Sequence, residues 1–327
     1  MTHTGYSRER SVALQAVREA TALCRAVQAQ ITPDILSKKD RSPVTVADFG
    51  SQALVCRAIR EAFPDDPIIA EEDSAALREN PAILDQVVSH VAAQRPGVDA
   101  ETVRAWIDYG GAQDYSERFW TLDPIDGTKG FLRREQYAIA LALIVGGEVQ
   151  VAVLACPNLP PTPDAEETGV VYVAVRGQGA FRVPLDGDGE PMPVRTSDLR
   201  VPAHARFCES VEAGHTSHND AAEVAARLGI TADPVRLDSQ AKYAVVARGE
   251  ADIYMRLPTR PGYVEKIWDH AAGSLVVTEA GGRVTDIHGK PLAFDQGWGL
   301  QQNRGVIVTN GPLHDQVIAA LKAVGVQ

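Results

Sequence analysis

The order of residue patterns along the chain predicts an antiparallel α+β half followed by an α/β half, divided near residues 198–203 into domains 1–200 and 201–327. Three observations carry this expectation. Apolar side chains recur at helical spacing through the first sixty residues. From Thr121 the pattern turns to β-branched runs broken by glycine turns. Beyond residue 205 strand-like and helix-like stretches alternate, the rhythm of an α/β unit.

The elements follow in order. Residues 7–30 place Val12, Ala16, Ala20, Leu23 and Val27 on one helical face. A loop over 37–43 leads into a second helix that begins near 45–48 and runs to Ala62, closed by Pro64 and Pro67. Ile68-Ile69-Ala70 reads as a short buried strand that delivers Glu71-Glu72-Asp73 at its end. Residues 74–118 are charged and read as a helical or irregular insertion. Strands over 137–145 and 149–154 flank Gly146-Gly147 as a hairpin, and strands over 170–175 and 180–183 flank a second turn at 177–179. In the second half, strands are expected over 205–211, 234–237, 252–257, 283–286 and 306–309. Helices are expected over 219–228, 239–248, 268–280 and 313–324, with Gly281-Gly282 as the stop of the third.

Composition narrows the function. A chain of 327 residues with 45% hydrophobic and 23% charged residues is ordinary for a globular protein with a large core. Its net charge of −11 argues against nonspecific nucleic-acid binding and against an anionic membrane surface. The longest apolar run, 138–145, is far shorter than the ~20 residues that cross a bilayer. The opening MTHTGYSRER has no apolar signal core, and Cys24, Cys56, Cys156 and Cys208 form no CxxC pair, so a cytoplasmic protein with reduced, partly buried thiols is expected. Oligomeric state is not encoded in any pattern, and a monomer is the simplest expectation. No GxxxxGK[ST] loop occurs, and His3, His288 and His314 lack metal-ligand spacing.

The chemistry concentrates in WTLDPIDGTKGF at 120–131. Asp123 and Asp126 stand three residues apart, just past a strand-like stretch, and offer oxygen ligands to a hard divalent cation such as Mg²⁺. Gly127, Thr128, Lys129 and Gly130 follow, and their backbone N–H groups can face an anion. A cation seat beside a phosphate seat suggests metal-assisted phosphoryl chemistry. Asp48, Glu71-Glu72-Asp73 and Asp269 add three acidic clusters at helix starts or strand ends. Singly, each is equally well read as a dipole-favoured or solvated acid. Together with DPIDGT they are much harder to dismiss.

With these residues the chain resembles the lithium-sensitive, Mg²⁺-dependent phosphatases of the inositol monophosphatase superfamily, and among them the 3′(2′),5′-bisphosphate nucleotidases. The resemblance covers nearly the whole length. It rests on SPVTVADFGSQALV (42–55), AEED (70–73), WTLDPIDGTKGFLRREQYAIALALI (120–144), ESVEAGHTSH (209–218), DSQAKYAVVARGEADIYMRLP (238–258) and EKIWDHAAGSLVVTEAGG (265–282). It implies a layered αβαβα sandwich with the site in a cleft between the halves. It further implies that Asp123 bridges two Mg²⁺ ions, with Glu71 and the Ile125 carbonyl on the first and Asp126 and Asp269 on the second. A third ion is expected near Asp48 and Glu71. The Asp48–Thr128 pair would orient and deprotonate a cation-activated water, and Gly127 and Thr128 would hold the phosphate through backbone N–H groups.

The resemblance implies that the second half chooses the substrate, with His215, Ser239, Lys242 and Arg256 around a nucleotide, including its 5′-phosphate. Arg133 and Arg134 read as solvated helix-face charges. The implied reaction is hydrolysis of adenosine 3′,5′-bisphosphate to AMP and phosphate, with 3′-phosphoadenylyl sulfate as a second substrate, inhibition by Li⁺ and a place in sulfur metabolism. The nearest alternative is an inositol phosphatase acting on inositol monophosphate or inositol 1,4-bisphosphate with the same metal ligands. A non-catalytic nucleotide sensor is a third reading, disfavoured because Asp48, Glu71, Asp123, Asp126, Thr128 and Asp269 are all present.

Overall fold

A computed structural model describes residues 5–31, 41–187, 189–211, 218–260 and 262–326. Two long helices, α1 (Ser7–Ala29) and α2 (Ser42–Ala62), pack along one another through small and aliphatic side chains. Gly50 on α2 lets Leu23 approach so closely that an added Cβ would lie 2.8 Å from its Cδ2. The charged insertion folds into α3 (Ala75–Glu79), α4 (Pro81–Gln94) and α5 (Ala100–Asp108). It is part of the fold rather than an appendage, because Ile83, Leu84, Val87, Val91, Val103 and Ile107 join the core under α1 and α2.

The first sheet has seven strands in chain order: β1 (Ile68–Ala70), β2 (Arg118–Asp126), β3 (Ala138–Val145), β4 (Glu148–Cys156), β5 (Val170–Val175), β6 (Ala180–Pro184) and β7 (Met192–Pro193). The β1–β2 pair is parallel and the others are antiparallel. A short helix, α6 (Thr128–Arg133), links β2 to the next strand. Alternation assigns the two faces. Leu141, Leu143, Val151 and Val153 meet α1 and α2. Ala140, Ala142, Ala152 and Ala174 face the other way, and their small size admits helices close to the sheet.

Those helices are α8 (Ala241–Ala247) and α9 (Ala271–Glu279) of the second half, whose buried Ala244, Ala272, Leu275 and Val276 belong to the same cluster. Beyond them lies the second sheet, ordered β11 (Arg283–Thr285), β12 (Val306–Thr309), β10 (Ile253–Arg256), β8 (Phe207–Glu209) and β9 (Val235–Arg236). Helices α7 (His218–Leu228) and α10 (His314–Val324) close its outer face on Phe207, Ile253, Met255 and Ile307. The layers therefore alternate as an αβαβα sandwich.

Two details depart from expectation. The second sheet is mixed, because β10 pairs parallel with β8 but antiparallel with β12. The helix expected over 268–280 is split into a 3-10 turn at Ile267–Asp269 and α9, with His270 at φ −133° between them. All four thiols are unpaired and fully buried. No helix among the described residues is long and apolar enough to cross a membrane.

Candidate active site

The strand ends of the first sheet and the helix starts of the second half form one cleft, about 500 Å³ in volume. On the first wall, the parallel register pairs Ala70 with Leu122, so Glu71 and Asp123 leave the sheet side by side. The β2–β3 register then shifts between Asp123 and Asp126. Pro124 lies in that interval and has no N–H for the ladder, while its carbonyl accepts from Ser51 Oγ at 3.0 Å. The bulge exposes both aspartates of DPID to the cleft. Gly127 turns the chain at φ +91°, and a Cβ there would lie 2.9 Å from Ser239 Cβ on the opposite wall. Thr128 opens α6.

On the second wall, Ser239 adopts a left-handed φ of +67° ahead of α8. That turn aims the Gln240 N–H at Asp126, which accepts through Oδ2 at 2.7 Å. Lys242 is buried and donates to the Ser239 and Leu237 carbonyls at 2.7 and 3.4 Å. Arg256, at the end of β10, pairs through Nε with Glu265 (2.8 Å) and through Nη2 with Asp269 (3.1 Å). Glu265 also meets His270 Nε2 at 3.1 Å, and His270 Nδ1 meets the Tyr243 hydroxyl at 2.7 Å. Glu265, Asp269 and His270 lie close enough to ligate an ion. Their mutual contacts and Arg256 already satisfy Glu265 and His270, so this group positions Asp269 instead of forming a separate seat.

Electrostatics single out the acidic wall. Burial, then the neighbouring Glu71 and Asp126, push the Asp123 carboxyl well above its usual range. Burial and the Glu72 and Glu71 charges do the same to Asp48. Glu71 is pushed up to about 8 by burial and then by Asp269, Glu72 and Asp126. Asp126 is raised by burial and Asp269. Oδ1 of Asp48 and Oδ1 of Asp123 are buried without a hydrogen-bond partner among the described residues. Clustered carboxylates with unsatisfied oxygens, and no nitrogen or sulfur among the donors, fit a hard divalent cation.

The cleft brings together Glu71, Asp123, Ile125, Asp126, Gly127, Thr128, Ser239, Lys242, Arg256 and Asp269. Asp48 does not line this open space; it sits on α2, which packs against α6, and its charge acts on Asp123. His215 lies outside the described residues. Of the acidic triplet only Glu71 faces the cleft. The Glu72 backbone is held on both sides by Gln52, and Asp73 Oδ1 accepts from Ala75 N at 2.8 Å.

Arg133 and Arg134 are exposed, in keeping with solvated charges, and each is also anchored to the protein. Arg133 pairs with Glu135 and with buried Asp238, and Arg134 donates to the Ile31 and Ala29 carbonyls. Asp238, Gln240, Tyr254, Tyr263, Lys266 and Trp268 also line the cleft without having been singled out. Gln240 and Lys266 fall inside the quoted blocks, but no spacing rule marks either.

Five alternating layers with an acidic cleft at the strand ends define an inositol monophosphatase-type fold. The chain belongs to the inositol monophosphatase family, whose model matches residues 6–325. It is 44% identical to a Schizosaccharomyces pombe protein named 3′(2′),5′-bisphosphate nucleotidase, over 98% of this chain and 96% of that one. A protein of the same name from Emericella nidulans is 44% identical over 98% and 99% of the two chains. Among solved structures, an inositol monophosphatase from Anabaena superposes with a TM-score of 0.65 at 23% identity, covering 99% of this chain and 98% of that one. Mycobacterium tuberculosis SuhB superposes with a TM-score of 0.64 at 22% identity, covering 99% of each. Both structures share the fold.

Proposed function

We propose that the chain is a Mg²⁺-dependent phosphomonoesterase that converts adenosine 3′,5′-bisphosphate to AMP and phosphate, with 3′-phosphoadenylyl sulfate as a second substrate. The observation that carries the chemistry is the pair of buried, unpartnered carboxylate oxygens on Asp48 and Asp123. The names of the nearly full-length relatives support the substrate class.

Glu71, Asp123, the Ile125 carbonyl, Asp126 and Asp269 would hold two ions, with a third near Asp48. Ions bound there would neutralise the carboxylates, polarise the phosphate and make an attacking water more acidic. Asp48 takes the proton released in the attack, relayed through the Thr128 hydroxyl, which alone is too weak a base. Gly127 and Thr128 hold phosphate oxygens through backbone N–H groups. Ser239, Lys242, Arg256 and His215 surround the nucleotide. Arg256 acts largely through Asp269, and Lys242 keeps one of its three N–H groups beyond the two carbonyls it already serves. Such an activity removes a by-product of sulfotransfer, and Li⁺ inhibits it by competing for a cation position.

The test is phosphate release from adenosine 3′,5′-bisphosphate and from inositol 1-phosphate at fixed Mg²⁺, with and without Li⁺. The nucleotide should be preferred by more than about tenfold in kcat/KM. Preference for the inositol ester would overturn the substrate assignment. Full turnover in EDTA would overturn the cation chemistry.

A further inference from the structure

The parallel pairing of β1 with β2 ends at Ala70 and Leu122, so the ladder stops one residue short of Glu71. Beyond that point a side chain replaces the missing strand. Gln52, on α2 and 0% exposed, meets both backbone groups of Glu72. Its Oε1 accepts from Glu72 N at 3.0 Å, and its Nε2 donates to the Glu72 carbonyl at 2.5 Å. That is the acceptor and donor which a residue on an adjacent strand would offer. The Glu72 N–H also fixes which end of the amide is oxygen. Nε2 donates as well to the Ile107 carbonyl on α5 at 3.0 Å. A primary amide, with two N–H groups and one oxygen, satisfies all three partners.

The insertion closes the same clasp from the other side. Ala70 N donates to the Gly110 carbonyl at 2.9 Å, and Ile69 bridges Gly111. Ser74 N and Oγ donate to the Asp108 carboxylate at 2.9 and 2.8 Å. Gly110 permits this approach, because a Cβ there would lie 2.9 Å from Gln52 Nε2 and from Ala70 Cβ. Residues 70–74 are thus tied at both ends to 108–110 and in the middle to Gln52. Glu71 needs such restraint, since Asp269, Glu72 and Asp126 all repel its carboxylate.

We propose that Gln52 is the positioning residue for Glu71, and that through it the end of the insertion sets the affinity of the cleft for its cation. This rests on the cation reading of the acidic wall. With its backbone held, Glu71 stays among like charges, and the oxygen that a divalent ion requires is in place before the ion arrives. Gln52 itself does not line the cleft, so its effect passes through Glu71.

The experiment uses the full-length protein and Mn²⁺, with the free ion counted by electron paramagnetic resonance. Gln52→Met keeps the length and loses the amide, and it should weaken Mn²⁺ binding about tenfold. The Mg²⁺ concentration for half-maximal phosphate release should rise by about the same factor, while KM for the nucleotide at saturating Mg²⁺ stays within about twofold. Gly110→Ala leaves Gln52 in the chain but displaces its amide, and it should weaken Mn²⁺ binding in the same direction. Val91→Ala removes buried volume from the same insertion and should lower Tm with Mn²⁺ affinity unchanged. An affinity within about twofold of the wild type in Gln52→Met overturns the assignment, as does an equal loss in Val91→Ala. If Gln52→Met does not fold, the same reading on Gly110→Ala decides. A wild-type protein that binds no Mn²⁺ overturns the cation reading and this inference with it.

Discussion

Buried titratable side chains play opposite parts in this molecule. Asp48 and Asp123 each bury one carboxylate oxygen without a partner among the described residues, whereas His314 is fully satisfied, with its ring nitrogens 2.9 Å from Thr285 Oγ1 and 3.0 Å from Thr309 Oγ1. The sequence marks His314 as incidental because it lacks metal-ligand spacing, and the structure makes it a pin between β11, β12 and α10. Burial, with Arg283 nearby, pulls its pKa down to about 4 from 6.5. Between those values the unfolded chain takes up a proton that the folded chain refuses, so this contribution is lost as pH falls from 6.5 through 4. His314→Gln should lower Tm at pH 7 yet flatten its decline between pH 7 and pH 4. An unchanged slope by scanning calorimetry would reject the assignment. At this scale the carboxylates were legible because residue type and spacing state their chemistry. The Arg133–Asp238 and Gln240–Asp126 contacts were not, since their partners are more than a hundred residues apart and no local pattern links them.

At the scale of elements, the corner from β2 into α6 decides whether the two walls meet. Gly130 sits where a Cβ would collide with the Gln136 carbonyl and lie 2.9 Å from Asp238 Oδ2. Gly130→Ala should therefore cost about 2–4 kcal/mol, because the obstacle is backbone rather than a flexible side-chain tip. A urea midpoint unchanged from the wild type would show that the corner yields freely. Strands and helices were legible where periodicity was long, as in α1 and β3. The split at His270 was hidden because WDHAAGSLVV is uniformly helix-compatible, and the break follows from tertiary contacts of Glu265 and Asp269.

For the whole molecule, the central helical layer makes two halves into one folding body. Alanines of β3, β4 and β5 contact α8 and α9, and Gly273 admits the Tyr243 ring at a distance no side chain could share. Scanning calorimetry should give a single endotherm. Mg²⁺ should move it upward as one by about 3–6 °C, with EDTA restoring the original value. Asp123→Asn should be more heat-stable than the wild type in EDTA and respond less to Mg²⁺, because it relieves crowding among carboxylates. Two separate endotherms would mean that each sheet folds alone. The two-part pattern of strands and helices was readable in the sequence. The layering was legible only through the family resemblance and not from periodicity, because a strand buried on both faces reads as an unbroken apolar run whose sides cannot be told apart.

The four sealed sulfurs give the molecule a built-in reporter. Burial pushes the thiols of Cys156 and Cys208 up to about 12 and raises Cys24 and Cys56 as well. An alkylating reagent therefore meets no accessible thiolate in the intact sandwich. Labelling must wait until the layers part, so its rate counts openings of the molecule, and one cysteine introduced at an exposed site such as Met192 would take a probe alone.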